Sequence, residues 1–346
     1  MADPWGIYPF AKITSVGLRR CHPLLYCVAC DGTPGALRGS LFLVRREKGG
    51  GRRLRIGLVF CFGLAVVFAA PQPLLAGPLP SEELNRHLSA IAGQAVGSPM
   101  VLIPQGWFLM GTNRKDDDPY GMETQYDDTE LPQRRIWLDA YSIDRDEVSL
   151  GEYVAYYREQ SRPLPEELQR LIWHVISVHS LPDYVLARWP ALYVTWQEAA
   201  DFCTARGKRL PTEAEWEKAA RGLTGNLFPW GRHSPEAGLA VFGQYHAHEI
   251  PLVAAVNGGE EGRSPYGLHH MAGNVAEWVK DWFGFDYYGV MPERNPPGPA
   301  TGRYKGIRGG SWKSKPAMLR TATRNGAVVD QRSATIGFRC AKSRDE

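Results

Sequence analysis

Hydrophobic positions recur in short runs, some at two-residue and some at three-to-four-residue spacing, which predicts many small elements and few long ones. Ser81 is placed to cap a short helix running through His87 to Ile91. Residues 100–111 (MVLIPQGWFLMG) alternate and are rich in β-formers, predicting two strands paired around a Gln105-Gly106 turn. Residues 135–144 (RIWLDAYSID) resume strand patterning. Ser149 and Glu152 form a capping box for a helix over 152–160. Across 165–179, Leu168, Leu171, Ile172, Val175 and Ile176 define a second amphipathic helix. Residues 190–196 read as a strand. Two further boxes, Thr195 with Glu198 and Thr212 with Glu215, open helices closed by Gly207 and Gly222. Glu213, Glu215 and Glu217 lie where carboxylates steady a helix N-terminus, so a structural role is expected of them.

The densest stretch is 266–282 (YGLHHMAGNVAEWVKDW). Gly267 and Gly273 mark tight backbone and Asn274 tolerates turn geometry. Trp278, Trp282 and Phe283 follow, interleaved with Glu277, Lys280 and Asp281. Rings at this density bury a large apolar area. The stretch therefore predicts a core-lining turn with Glu277 pointing inward, and such a carboxylate must be paired, protonated or bound to a cation.

Polar segments fill the remainder. Residues 113–132 carry Asp116, Asp117, Asp118, Glu123, Asp127, Asp128 and Glu130 without the spacing of a calcium loop, and predict a solvated loop. His174 and His179, five apart, are expected on different helix faces. Residues 232–265 are loop-rich. His246 and His248, with His269 and His270, are the histidine clusters of the body. Their convergence would make a copper or iron site, whereas no further Cys or His completes a ligand set.

Charge redraws the N-terminus. Residues 1–56 hold ten Lys and Arg against three Asp and Glu, leaving 30 against 34 in the rest of the chain's 40 and 37. The body is mildly acidic, and nothing in it suggests a nucleic-acid surface. Residues 56–70 (IGLVFCFGLAVVFAA) form an apolar run shorter than the roughly 20 residues of a spanning helix. Basic residues precede it and PQPLLAG follows, the layout of a secretory signal. The expected organisation is a basic leader over 1–55, a signal peptide or signal anchor over 56–76, and one folded domain over 77–346. A periplasmic or secreted location follows, with membrane contact only through the signal segment. Cys21, Cys27 and Cys30 lie in the leader, outside the expected fold.

The motif GLxxMxGNVxEW, together with RLPTEAEWEKAAR at 209–221, FPWG at 228–231, RGGSW at 308–312 and IGFRC at 336–340, resembles the formylglycine-generating-enzyme or sulfatase-modifying-factor family over about 97–342. The resemblance implies an α+β fold, a single irregular C-type-lectin-like domain with short twisted strands and a few capped helices. Oxidising members convert a sulfatase cysteine to formylglycine with a cysteine pair after the GGS motif, because thiolates hold a cuprous ion and pass electrons to dioxygen. The matching positions here are Ser314 and Leu319, and neither supplies a thiolate. Ala276 and Thr335 replace two further features of the family's oxidase cleft.

The resemblance also implies a disulfide between Cys203 and Cys340. It implies calcium at the GNV turn, on Gly273, Val275 and Glu277, with His270 standing where the family has Asn or Asp. Ser311, Trp312, Arg320 and Arg324 remain as substrate-cleft candidates suited to acidic or carboxylate groups, or as braces for the acidic body. The expected role is a peptide- or protein-binding or maturation factor without cysteine-dependent oxidation. The alternative is a metal- or oxygen-dependent oxidase of the same superfamily using other residues.

Overall fold

Each of the three predicted capping boxes forms, and together they fix where the helices begin. The side chains of Ser149, Thr195 and Thr212 accept from the backbone N–H groups of Glu152, Glu198 and Glu215, whose carboxylates return the bond. The computed structural model describes residues 79–113, 128–245 and 250–344. The leader and residues 56–76, Asp116 to Asp127, and His246 and His248 lie outside the described residues.

Seven α-helices and nine strands occur in the described residues. In order they are α1 (Ser81–Ala92), β1 (Met100–Ile103), β2 (Gly106–Met110), β3 (Arg134–Leu138), β4 (Tyr141–Asp144), α2 (Leu150–Glu159), α3 (Glu166–His179) and α4 (Asp183–Leu186). Then come α5 (Trp196–Ala205), α6 (Glu213–Arg221), β5 (Ala276–Trp282), α7 (Tyr287–Val290), β6 (Lys305–Arg308), β7 (Arg324–Ala327), β8 (Ile336–Gly337) and β9 (Ala341–Ser343). They form three small sheets, ordered β1-β4-β9, β2-β3 and β7-β6-β5-β8, with β5 and β8 parallel. Short strands in separate sheets among capped helices are the α+β architecture that the sequence implied.

Four local expectations are corrected. Pro80, not Ser81, precedes α1, and no side chain caps it. Strands β1 and β2 do not pair with each other. They lie against β4 and β3 in one continuous register, Met100 opposite Asp144 and Met110 opposite Arg134. The ribbon breaks at Pro104, which has no N–H for a ladder. The Lys218 ammonium closes that break by donating to Pro104 O and Gly106 O at 2.6 and 3.2 Å. Residues 190–196 form no strand: Pro190 makes one bridge to Ser149, and Tyr193 sits at positive φ. Within the expected solvated loop, Asp128–Glu130 forms a 3-10 turn and Glu130 is completely buried.

Helix α6 sits at the centre. All nine of its residues are buried although five are charged. Burial of charge on this scale requires partners on every side. Glu215 takes a bidentate pair from Arg209. Glu217 accepts from Gly111 N, Arg221, Tyr288 OH and Arg308. Glu213 accepts from Arg324 and Arg308. The three carboxylates are structural, as expected, but they anchor an internal ion-pair network that reaches well beyond the helix end. The Cys203–Cys340 disulfide forms, tying α5 to the segment between β8 and β9 across 137 residues.

Candidate functional site

The RGGSW and GNV segments meet at the heart of the domain. Gly273 N donates to Gly309 O at 2.9 Å and Trp312 N to Asn274 O at 2.8 Å. Three glycines make this approach possible. Gly309 and Gly310 hold φ of 86° and 70°, and a Cβ on Gly309 would come within 3.1 Å of the Trp216 ring. At Gly273 a Cβ would collide with Val241 O. Only glycine serves at such positions.

Ser314 and Leu319 both face the space above Gly310, where a Cβ would lie 3.2 Å from Ser314 Oγ and 3.0 Å from a Leu319 methyl. The fold thus brings the two positions together. Ser314 Oγ accepts from Ser311 N at 2.8 Å, with Ser311 Oγ 3.4 Å away. Leu319 is completely buried and packs with Leu227, Phe228 and Ala272. One position is a turn-locking hydroxyl and the other a core side chain. Neither offers a soft donor, so the pair does not fit a cuprous ion.

The cleft candidates separate. Ser311 and Trp312 lie on this turn, with Trp312 Nε1 donating to Ala334 O. Arg320 and Arg324 lie inside the protein, each 1% exposed. Arg320 makes a bidentate pair with Glu130 at 2.5 and 2.7 Å. Arg324 pairs with Glu213 at 2.8 and 2.9 Å, donates to Thr129 O and Gly284 O, and lies 4.1 Å from the Tyr288 ring centre. Burial pushes the Glu213 carboxyl up, but Arg324 and Arg308 outweigh it and hold the group below its ordinary value.

At the GNV turn, Glu277 lies on β5, a strand where a turn was expected, and is completely buried. Of the three expected fates of its carboxylate, it is paired. Arg339 grips both oxygens at 2.7 and 2.8 Å, and Trp216 Nε1 donates at 2.8 Å. A dication here would have to share the carboxylate with a guanidinium, which is a poor donor set for calcium. Gly273 and Val275 shape the turn, Val275 N donating to Glu147 at 3.3 Å.

The sequence reading missed Glu147. Burial, with repulsion from Glu277, drives its carboxyl well above the ordinary range, while Asn274 Nδ2 bonds it at 2.6 Å. Its position beside the Ser149 capping box concealed it. His269 and His270 do not converge on a common point. His269 Nδ1 lies 2.7 Å from Asp146, whereas His270 Nε2 lies 3.0 Å from Ala255 O and burial pushes its imidazole down to about 4. His174 and His179 are not on separate faces, since their rings meet edge-on at 5.3 Å. Among the described residues no group of three or more His, Cys, Asp or Glu is arranged to hold a metal.

Fold and motif geometry together define the scaffold class of sulfatase-modifying factors. Residues 89–344 match the sulfatase-modifying factor enzyme 1-like domain, and the chain belongs to that family. It is 32% identical over 315 residues to the formylglycine-generating enzyme of Bos taurus, covering 75% of this chain and 79% of that one. It is also 32% identical over 278 residues to the serine/threonine-protein kinase pkn1 of Chlamydia caviae, covering 78% of this chain but 42% of that relative. The chain therefore spans less than half the length of the pkn1 protein. Among solved structures, PvdO from Pseudomonas aeruginosa superposes with a TM-score of 0.55 at 26% identity, over 70% of this chain and 94% of that one.

Proposed function

We propose that this protein is an exported family member that binds a protein or peptide segment and does not oxidise a cysteine through a thiolate pair. The observation that carries this reading is the replacement of both thiolate positions by groups the fold uses otherwise, the Ser314 turn hydroxyl and the buried Leu319. A copper-held thiolate cannot form there, while the surrounding scaffold is intact. The Cys203–Cys340 disulfide supports an oxidising compartment.

The test is co-expression of the full chain with a sulfatase, followed by mass spectrometry of the sulfatase cysteine that oxidising relatives convert. The cysteine should keep its thiol, and a peptide spanning it should be retained unconverted on immobilised protein. Aldehyde at that cysteine would overturn the reading, and so would failure of the peptide to bind.

A further inference from the structure

Where the start of α5 meets the ends of β5 and β6, a cavity of about 560 Å³ opens to solvent. Its size suits a small organic ligand. Trp196, Trp282 and Val329 give it apolar walls, with Thr195 and Asp330 at its edge. Lys305 projects into it from β6, directly opposite Trp282 in the strand register. The ammonium sits between two indole faces, 3.8 Å from the Trp196 ring centre and 4.0 Å from that of Trp282. One of its hydrogens goes to Lys280 O at 2.9 Å. Trp196 is itself held, since Nε1 donates to Val279 O and its backbone N to Val329 O.

Among the described residues Lys305 has no counter-ion, and where the buried Lys218 is satisfied by two backbone carbonyls, Lys305 has one carbonyl and two rings. Arg308, Arg320, Arg324 and Arg339 each face a carboxylate. Lys305 is 6% exposed and makes no ion pair among the described residues. Two π faces and one carbonyl compensate it partly, because a desolvated ammonium gains most from a full negative charge. Burial accordingly holds this lysine below its ordinary value, with Asp281 pulling it back up. The uncompensated charge lies in a pocket whose walls are apolar.

We propose that this pocket binds an apolar monocarboxylate, its carboxylate paired with Lys305 and its body laid against the walls that Trp196, Trp282 and Val329 form. Asp330 also lines the pocket and repels anions, so a second negative charge on the ligand is disfavoured. A free small acid and the C-terminus of a peptide ending in an apolar residue share this chemistry. The proposal does not depend on the fate of a sulfatase cysteine, so either idea can fail alone.

The experiment is titration calorimetry of the full chain with four probes: 4-phenylbutyrate, 4-phenylbutan-1-ol, and an N-acetylated tripeptide ending in phenylalanine as acid and as amide. The butyrate should bind at least ten-fold more tightly than the alcohol. Lys305→Met should remove that preference and Lys305→Arg should retain it. Val329→Glu, an exposed change outside the core, should weaken the butyrate at least ten-fold without lowering the unfolding midpoint. Binding of the tripeptide acid but not its amide would assign the pocket to peptide C-termini. Binding of the butyrate alone would assign it to small acids. Equal affinity for butyrate and alcohol, indifference to both Lys305→Met and Val329→Glu, or no binding of any probe at millimolar concentration would overturn the proposal.

Discussion

Replacing Arg324 by methionine tests whether this arginine braces the fold or waits for a ligand. In the wild type, Arg324 and Arg308 hold the buried Glu213 carboxyl below its ordinary value. That contribution to stability is present above the unfolded carboxyl's value, about 4.3, and is lost as pH falls through the lower folded value. Without Arg324, burial dominates and the folded carboxyl rises above its unfolded value. The charge then need not stay buried, because the group can take a proton, and at pH 7 this costs at most roughly 3.7 kcal/mol. Arg308 remains 3.3 Å from Glu213 and lowers that ceiling. Thr129 O and Gly284 O lose a donor, adding about 1 kcal/mol each.

The expected loss at pH 7 is therefore about 3–5 kcal/mol, the range for breaking a buried pair by removing one partner. The pH dependence carries the sharper sign. Above about pH 4.3 the folded variant holds a proton that the unfolded chain has released, so its stability falls as pH rises. The slope approaches roughly 1.4 kcal/mol per unit until the raised folded value is reached. Urea unfolding of wild type and variant at pH 5, 6 and 7 measures both quantities. A loss below about 1 kcal/mol, or a variant whose pH slope parallels the wild type, would refute the bracing role and return Arg324 to the list of ligand-binding groups.

Three further outcomes follow from the same geometry. Cys203→Ala with Cys340→Ala opens a 137-residue loop and should lower stability by about 2–5 kcal/mol in urea, matching the effect of reductant on the wild type. Burial pushes the Lys218 ammonium down to about 8, so the unfolded chain binds the extra proton above that pH. Stability should rise between pH 8 and 9.5 relative to Lys218→Met, and equal slopes would count against a buried ammonium at the Pro104 break. Because Arg339 occupies Glu277, exchanging calcium for EGTA should leave the thermal midpoint unchanged, and a shift of several degrees would count against that reading.

The parts of the fold that sequence foretold are those whose determinants lie within a few residues of each other. Ser149, Thr195 and Thr212 each cap through a carboxylate three positions away, and each box forms. The paired Cys203 and Cys340 were accessible through family resemblance, since nothing local joins residues 137 apart. Strand pairing was less legible. Residues 100–110 alternate as a hairpin would, but their partners lie at 134–144, and the Pro104 break that splits the ribbon is closed by a lysine from α6.

Charge was the least legible feature, because the same residue type serves opposite ends in water and in the core. Glu130 closes a run of seven carboxylates that reads as solvated, yet it is buried against an arginine 190 residues away. Glu213 and Arg324 are 111 residues apart, and from sequence alone the arginine is as fit to meet a ligand as a glutamate. Lys305 is the converse. Its strand, KGIR, has nothing that marks the lysine as special, and only the fold sets two tryptophans from distant segments on either side of it with no carboxylate in ion-pair contact. The arginines of this core are neutralised by partners that the chain supplies. The buried Lys305 ammonium, held between two aromatic rings, lies in the pocket open to solvent, which is where a ligand's charge could complete what the fold leaves unpaired.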